Sequence, residues 1–128
     1  VHHNYNLKFS NVKDFDGNLH KQLSFINVNQ HTYDELYFYL AQILYPNIDI
    51  VDYHLPTTLK IVRGVENDPV LLSGTNFAHV TAQNVVIAQI DNESISCALP
   101  TSDFIAILNE YLAFYNTPPY DAGRLFSF

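Results

Sequence analysis

Residues 83–115 read QNVVIAQIDNESISCALPTSDFIAILNEYLAFY, and this stretch decides the fold class. Its first half has two runs with apolar residues, Gln83–Ile90 and Ser94–Leu99. They are separated by Asp91-Asn92, and this pattern is typical of a β-hairpin. Its second half begins with hydroxyl and acidic residues and continues with apolar residues at helical spacing, which predicts a helix over Thr101–Tyr115. Strands followed by a helix indicate an α+β domain.

Folding this hairpin about its Asp-Asn pair sets Ala88 opposite Ile95 and Val86 opposite Cys97. The single cysteine of the chain then lies among small apolar neighbours, where a thiol is usually inert. The first strand of the pair is apolar on both faces, so we expect it at the centre of a sheet.

A second hairpin is predicted near the start of the chain, over Tyr5–Val28. Apolar and polar residues alternate before Asp16-Gly17, a pair that tolerates the positive φ of a tight turn. Folding about these two residues sets Leu7 opposite Ile26. One face is then apolar, but some apolar residues of the second strand fall on the other face unless the register shifts by one residue.

A helix is predicted over Thr32–Tyr45. Thr32 and Glu35 have the spacing of a capping box at its start, and Pro46-Asn47 ends it. The expected core stripe consists of Leu36, Leu40, Ile43 and Leu44. Three aromatic residues fall outside that stripe, namely Phe38, Tyr39 and Tyr45. The helix therefore has more apolar surface than one core contact uses.

The middle of the chain predicts further strands. Ile48–Tyr53 and Thr58–Val65 are expected as strands on either side of Leu55-Pro56, and Val70–Leu72 and Phe77–Thr81 follow as shorter strands. The whole chain then has the order ββαββ(β)ββα. This order describes an α+β fold with an antiparallel or mixed sheet of about five to seven strands and two α-helices.

The length of the chain favours one domain. At 128 residues, a single core buries roughly two thirds of the surface of the unfolded chain. We expect one domain over residues 1–128, in which Val1–His3 are a remnant of processing or expression. Residues 118–128 are expected to form a C-terminal tail, because Pro118-Pro119 stops the last helix.

The charge of the chain excludes several classes of partner. Thirteen acidic residues oppose six Lys and Arg, which gives a formal net charge of −7. Phosphate backbones and anionic membrane surfaces bind through Lys and Arg, so nucleic acid and membrane partners are not expected. The apolar stretches are also far shorter than the roughly 20 residues of a membrane-spanning helix.

The residue types that perform catalysis or bind metals are present but not arranged as a site. The six histidines are scattered and lack the spacing of zinc ligands. Neither a Gly-x-Ser-x-Gly sequence nor a phosphate-binding glycine loop occurs. We therefore predict a protein that is not an enzyme and that has no catalytic residues, no metal and no cofactor.

The acidic residues are unevenly distributed. Residues 31–56 have four acids and no Lys or Arg, and residues 76–128 have five acids and one Arg. Acids steer a basic partner toward a surface, and aromatic residues that become buried slow its dissociation. The predicted partner-binding residues are Asp49, Asp52, Asp91, Glu93, Phe38, Tyr39 and Tyr45. An ordinary solubilising surface is the alternative interpretation.

The end of the chain has a strand that passes through a proline into an amphipathic helix with an aromatic residue near its end. The residues concerned are Cys97-Ala98-Leu99-Pro100, Phe104-Ile105, Ile107-Leu108, Tyr111 and Phe114. This pattern resembles small bacterial immunity proteins that neutralise polymorphic or contact-dependent inhibition toxins. The resemblance implies a cytoplasmic, non-enzymatic protein that covers the active site of a toxin, often a basic nuclease.

Three hypotheses of function follow from these patterns. The first is a toxin-neutralising immunity protein whose carboxylates take the place of phosphates in a cationic toxin cleft. The alternative is a small-molecule-binding or enzymatic α+β domain. Its pocket would lie between the sheet and the first helix and be lined by Tyr33, Tyr37, His54 and His79. A third is a structural subunit of a larger assembly.

Overall fold

A computed structural model describes residues 5–65 and 70–118, and the backbone of 125–127. Strands and helices alternate in blocks along these residues. The elements are β1 (Leu7–Lys13), β2 (Leu19–Phe25), α1 (Asp34–Ala41), α2 (Pro46–Asp49), a π-helical turn (Ile50–His54), α3 (Leu55–Val62), β3 (Val70–Ser73), β4 (Asn76–Val80), β5 (Asn84–Gln89), β6 (Ser96–Pro100), α4 (Thr101–Asn116) and β7 (Leu125–Ser127).

The strands of the described residues form two antiparallel sheets. One has the order β2-β1-β7 and the other has the order β3-β4-β5-β6. The α+β class and the antiparallel pairing confirm the sequence prediction. The predicted order of elements is wrong in the middle of the chain, where helices replace two strands.

The first hairpin is confirmed, but its register differs from the predicted one by one residue. Leu7 pairs with Phe25, and Phe9 pairs with Leu23. Because directly opposed residues share a face, Leu23 and Phe25 lie on the same side of this sheet as Leu7 and Phe9, whereas Val12 lies on the other side. The shift therefore moves the apolar residues of the second strand from the outer face to the apolar face.

A loop longer than the predicted two-residue turn causes this shift. The backbone N–H of Asp14 donates to the carbonyl of Asn18 at 2.9 Å. The Asp14 carboxylate accepts from the N–H groups of Asp16 and Asn18, each at 2.9 Å. Gly17 has a φ of 81° within this loop. The carboxylate of Asp14 thus accepts hydrogen bonds from loop N–H groups, and in a two-residue turn backbone carbonyls would accept such bonds.

Helix α1 forms within the predicted range but without the predicted capping box. Tyr33 occupies the N-cap position, and no side chain caps the first turn. Glu35 is buried, and its carboxylate accepts from Asn76 Nδ2 at 2.6 Å and from Gln89 Nε2 at 3.3 Å. Glu35 therefore joins α1 to the four-stranded sheet instead of reaching back to Thr32.

The strands predicted at Ile48–Tyr53 and Thr58–Val65 are wrong, because residues 46–62 are helical. Pro46 is at the start of α2, where the missing N–H is not needed. Pro56 lies in the first turn of α3, directly after the π-helical turn. Such a turn widens the helix, and we attribute the π-helical geometry to the proline that follows it.

The four-stranded sheet follows the prediction in its elements and differs in one register. Val85 pairs with Leu99 and Ile87 with Cys97, one residue away from the predicted pairing of Val86 with Cys97. As predicted, β5 is a central strand, because it lies between β4 and β6. Cys97 is buried, which confirms its predicted place in the core.

Helices α1 and α4 pack on one face of this sheet. The predicted helix over Thr101–Tyr115 is confirmed, and Phe104, Ile107 and Leu108 are buried against the sheet. The hydroxyl of Tyr5 donates to the carboxylate of Asp103 and so joins the start of the chain to α4. The desolvation of Tyr5 and the adjacent carboxylate raise the pKa of its phenol.

The structure describes only part of each end of the chain. Leu125–Ser127 pair with β1, so part of the tail predicted at residues 118–128 is a strand. The remnant predicted at Val1–His3 lies outside the described residues.

Candidate partner-binding surface

Aromatic, aliphatic and acidic side chains follow one face of α2 and the π-helical turn, and all of them are exposed except Asp49, which is half-buried. We call this set the Tyr45 stripe, and it consists of Tyr45, Ile48, Asp49, Asp52 and Tyr53. These positions are three or four residues apart, so they share one side of the helical segment. The buried residues Ile50 and His54 lie on the opposite side. The helical segment therefore has one side that packs in the core and one side that faces solvent.

The Tyr45 stripe combines apolar surface with two carboxylates. Tyr45 is 59% exposed and Ile48 is 52% exposed, and the preceding Leu44 is 75% exposed. Between Glu35 and Lys60 the sequence has no Lys or Arg. The carboxylates of Asp49 and Asp52 thus have no cationic neighbour along this part of the chain, which favours a basic partner.

A cleft of about 340 Å³ opens beside the Tyr45 stripe. Tyr45, Asp49, Tyr53 and His54 line one side of it, and residues 72–74 line the other. Gln42 holds the β3–β4 turn in place, because its side chain accepts from the Thr75 N–H and donates to the Thr75 hydroxyl, both at 2.8 Å. The wall of the cleft is therefore fixed to the end of α1.

His54 is the buried residue beneath this cleft. Its Nδ1 lies 2.6 Å from the hydroxyl of Tyr39, which is itself fully buried. Desolvation lowers the pKa of His54 to about 4, against the opposing charge of Asp49. The ring is therefore neutral at pH 7, and it does not repel a cationic side chain that approaches Asp49.

The structure brings together three of the seven predicted partner-binding residues. Tyr45, Asp49 and Asp52 belong to the same stripe. Asp91 and Glu93 are exposed in the β5–β6 turn. That turn begins beside the cleft wall, since the N–H of Ile90 donates to the carbonyl of Thr75 at 2.9 Å. We assign Asp91 and Glu93 to the margin of the surface.

The other two predicted residues lie elsewhere. Tyr39 is 0% exposed and bonded to His54, so its assignment to an exposed surface is corrected. Its ring is buried between His54 and Phe104 of α4, with ring centroids 5.3 and 6.0 Å away. Phe38 is partly exposed, and its ring lies 5.5 Å from that of Tyr37 on the side of the first hairpin. Phe38 therefore does not belong to the Tyr45 stripe.

The sequence analysis missed Ile48 and Tyr53 as surface residues and assigned Leu44 to the core. All three errors follow from the boundaries of the elements, because α1 ends before Leu44 and residues 48–53 are helical. The signal that was available is the spacing of the stripe itself, together with Pro46 at a helix start.

The residues of the alternative pocket hypothesis do not come together. They are Tyr33, Tyr37, His54 and His79. The ring of Tyr33 packs on that of Tyr5 at 4.8 Å, and the ring of Tyr37 packs on that of Phe25 at 4.3 Å. His79 points to the face of the four-stranded sheet opposite α1 and α4. Only His54 lines the cleft.

The described residues also provide little for catalysis. No group of three or more His, Cys, Asp or Glu side chains among them is placed to hold a metal ion. Burial raises the pKa of the Cys97 thiol to about 11, so it is protonated at neutral pH. A protonated, buried thiol is a poor nucleophile.

We expect Cys97 in the native protein to react with the thiol reagent DTNB at least about 100-fold more slowly than in the guanidinium-unfolded chain, because burial limits both access and ionisation. The absorbance of the released thiolate at pH 8 measures both rates. Rapid, complete labelling of the native protein would show that the thiol is accessible and would contradict its place in the core.

Comparison with known proteins gives no relative. The chain matches no protein-family model, and neither the curated proteins nor the solved structures contain a similar protein. In the described ranges, every helix is too short or too polar to cross a bilayer. A functional proposal must therefore be argued from the surface itself.

Proposed function

We propose that this protein is a cytoplasmic, toxin-neutralising immunity protein that binds a basic, nuclease-type toxin domain through the Tyr45 stripe. The observation that carries the proposal is the placement of two carboxylates and two exposed tyrosines on one face of a helical segment without Lys or Arg. The strand β6, Pro100 and helix α4 also have the order on which the resemblance to immunity proteins depends.

The chemistry of the stripe suits a cationic active site. Carboxylates form short, charge-assisted hydrogen bonds with Lys and Arg, as the phosphates of a nuclease substrate do. Asp49 and Asp52 supply these acceptors. Tyrosine rings add apolar contact area at a low cost in side-chain entropy, because only two torsions become fixed. Tyr45 and Tyr53 are therefore the expected anchors.

The cleft provides a place for one cationic side chain of the toxin. Asp49, Tyr45 and Tyr53 line it, and tyrosine rings attract guanidinium and ammonium groups. The neutral His54 adds no opposing charge. Binding then blocks the toxin by occupying its substrate cleft, and no chemical step on the immunity protein is needed.

Binding to a purified toxin domain encoded beside the gene for this chain tests the proposal. We expect the double variant Asp49→Asn/Asp52→Asn to bind about 10-fold more weakly and to show a flatter dependence of affinity on salt. Tyr45→Ala is expected to lower the affinity by about 30-fold, because it removes a buried aromatic anchor. Isothermal titration calorimetry at two salt concentrations measures both effects.

The matched control is Asp16→Asn/Glu110→Gln, which removes the same charge from exposed positions outside the stripe. We expect this variant to bind almost as the wild type does. The proposal is wrong if the wild type does not bind the domain, or if both double variants lose the same affinity. In the second case, only the net charge of the protein matters.

A further inference from the structure

A cavity of about 250 Å³ lies between the β2-β1-β7 sheet and helix α4. We call it the β2–α4 pocket. Most of the residues that line it are apolar, and a few have polar side chains, as is typical of pockets that hold small molecules. The lining residues that matter for its chemistry are Phe9, Lys21, Leu23, Tyr111 and Phe114.

Three aromatic rings of this lining pack on one another. The ring centroid of Phe9 lies 5.6 Å from that of Tyr111 and 5.6 Å from that of Phe114. Phe9 and Phe114 are stacked, and Tyr111 meets Phe9 edge to face. Because these contacts hold the rings in place, they give the pocket a preformed surface for a flat apolar group.

Lys21 is the one cationic side chain among the described residues that line the pocket, and none of those residues is acidic. Its Nζ lies 4.3 Å from the centroid of the Phe114 ring, so the aromatic residues hold the ammonium group by a cation–π contact. An ammonium group has three N–H donors. The charge of the pocket therefore favours an anionic ligand with an apolar body.

The hydroxyl of Tyr111 is a second donor in this lining. Burial raises the pKa of its phenol to about 12, so the hydroxyl is protonated at neutral pH. Within the described ranges, no group forms a hydrogen bond with it. The hydroxyl can therefore donate to a ligand without breaking an existing bond.

A buried amide next to Lys21 also lacks a partner. Asn11 is directly opposite Lys21 in the β1–β2 ladder, so both side chains leave the sheet on the same face. Asn11 is 1% exposed, and neither its Oδ1 nor its Nδ2 has a hydrogen-bond partner in the part of the chain that the structure describes. Buried polar groups are rarely left unbonded, because this costs free energy. The unpartnered amide indicates that this region of the sheet accommodates a polar ligand group.

We propose that the β2–α4 pocket binds a small aromatic carboxylate. The carboxylate accepts from the Lys21 ammonium and the Tyr111 hydroxyl, and the aromatic body packs on the Phe9 and Phe114 rings. One cation suits a monoanion better than a phosphate dianion. At about 20 to 30 Å³ per non-hydrogen atom, the cavity admits roughly 8 to 13 such atoms, which excludes a long fatty acid.

Indole-3-acetate is a suitable probe, because the chain has no Trp and the indole fluorescence then reports the ligand alone. Its fluorescence anisotropy is followed as the full chain is added. We expect a dissociation constant of about 0.1 to 1 mM, since a ligand of this size makes few contacts. Indole-3-acetamide has nearly the same shape without the charge, and it should bind at least about 10-fold more weakly.

Substitutions in the pocket test the two donors. Lys21→Gln should weaken the binding of indole-3-acetate at least about 10-fold, whereas Lys21→Arg keeps the charge and should stay within about 3-fold of the wild type. Tyr111→Phe should weaken it about 3-fold, because it removes one neutral donor. The matched control is Lys8→Gln, which removes the same charge from the other face of the same sheet and should bind as the wild type does. Circular dichroism checks that each variant is folded.

The proposal is overturned if the wild type does not bind indole-3-acetate, if the acetamide binds as tightly as the acetate, or if Lys8→Gln weakens binding as much as Lys21→Gln. The first two results need only the wild type, so they decide the question without any variant. Ile43 and Leu44 line both this pocket and the cleft beside the Tyr45 stripe. The substituted residues do not line that cleft, and no toxin is present, so this proposal and the toxin proposal fail separately.

Discussion

Acidification from pH 7.5 to pH 4.5 should destabilise the wild type by about 2 to 3 kcal/mol more than a His54→Gln variant. His54 has a pKa of about 4 in the folded protein because of its burial, whereas an exposed histidine has a pKa of about 6.5. Between these values the unfolded chain binds the proton that the folded protein excludes. The contribution of the neutral ring is therefore complete above pH 6.5 and is lost as the pH falls toward 4.

Urea denaturation at several pH values measures this effect as the difference between the wild type and His54→Gln. His31→Gln is the matched control, because His31 is exposed and lies 3.0 Å from the carboxylate of Asp34. The same carboxylates are present in the wild type and in His54→Gln, so the effect of their titration cancels in that comparison. If the curves of the wild type and His54→Gln run parallel, His54 does not titrate as its burial requires.

The second large effect is expected at Glu35. Replacement by alanine should lower the free energy of unfolding by about 2 to 4 kcal/mol, because the amide groups of Asn76 and Gln89 then lose their carboxylate partner. Glu35→Gln should cost less, since one of its side-chain atoms still accepts a hydrogen bond. Urea denaturation at pH 7 measures both changes.

Glu110→Ala provides the control for this series, because Glu110 is an exposed acid on α4. It should change stability by no more than about 0.5 kcal/mol, as surface substitutions usually do. A loss of stability at Glu35→Ala as small as that of the control would mean that the buried carboxylate contributes nothing to holding α1 on the sheet.

Local signals predicted the hairpins and the last helix correctly. Thr101–Tyr115 follows a proline and has apolar residues at helical spacing along its whole length. Such a helix can be predicted from its own sequence, without knowledge of its tertiary contacts. Both hairpins shifted by one residue because polar side chains bond within their loops. Asp14 does so in the first, and in the second Asn92 accepts from the hydroxyl of Ser94 at 2.6 Å. These bonds hold loops that are longer than a two-residue turn.

The middle of the chain was not predicted because its buried face is partly polar. Four residues of this segment are buried at helical spacing, namely Ile50, His54, Thr58 and Ile61. Two of them are polar, so a hydropathy pattern does not reveal the helical period. His54 is satisfied by the hydroxyl of Tyr39, which is distant in sequence, and Thr58 donates to the carbonyl of His54 at 2.7 Å. Neither bond is visible before the chain folds.

The same lack of tertiary information limited the prediction of the surface. Tyr45, Asp49 and Asp52 were found as residues without a structural role, although Asp49 and Asp52 were assigned to a strand. Tyr39 also had no evident structural role in the sequence, but its assignment to the surface is wrong. Helix α1 contacts both the first hairpin and the four-stranded sheet, so more than one of its sides is buried. A surplus of aromatic residues therefore indicates either a binding surface or a second core contact, and only burial distinguishes them.

The absence of charge in the four-stranded sheet also has a consequence during synthesis. From Val70 to Ile90 the sequence has no charged residue, and Asp68 and Asp91 enclose this run. β-rich segments without charge readily associate between unfolded chains, and flanking acids oppose that association. We therefore expect Asp91 and Glu93 to oppose association between newly made chains until α1 and α4 cover one side of the sheet.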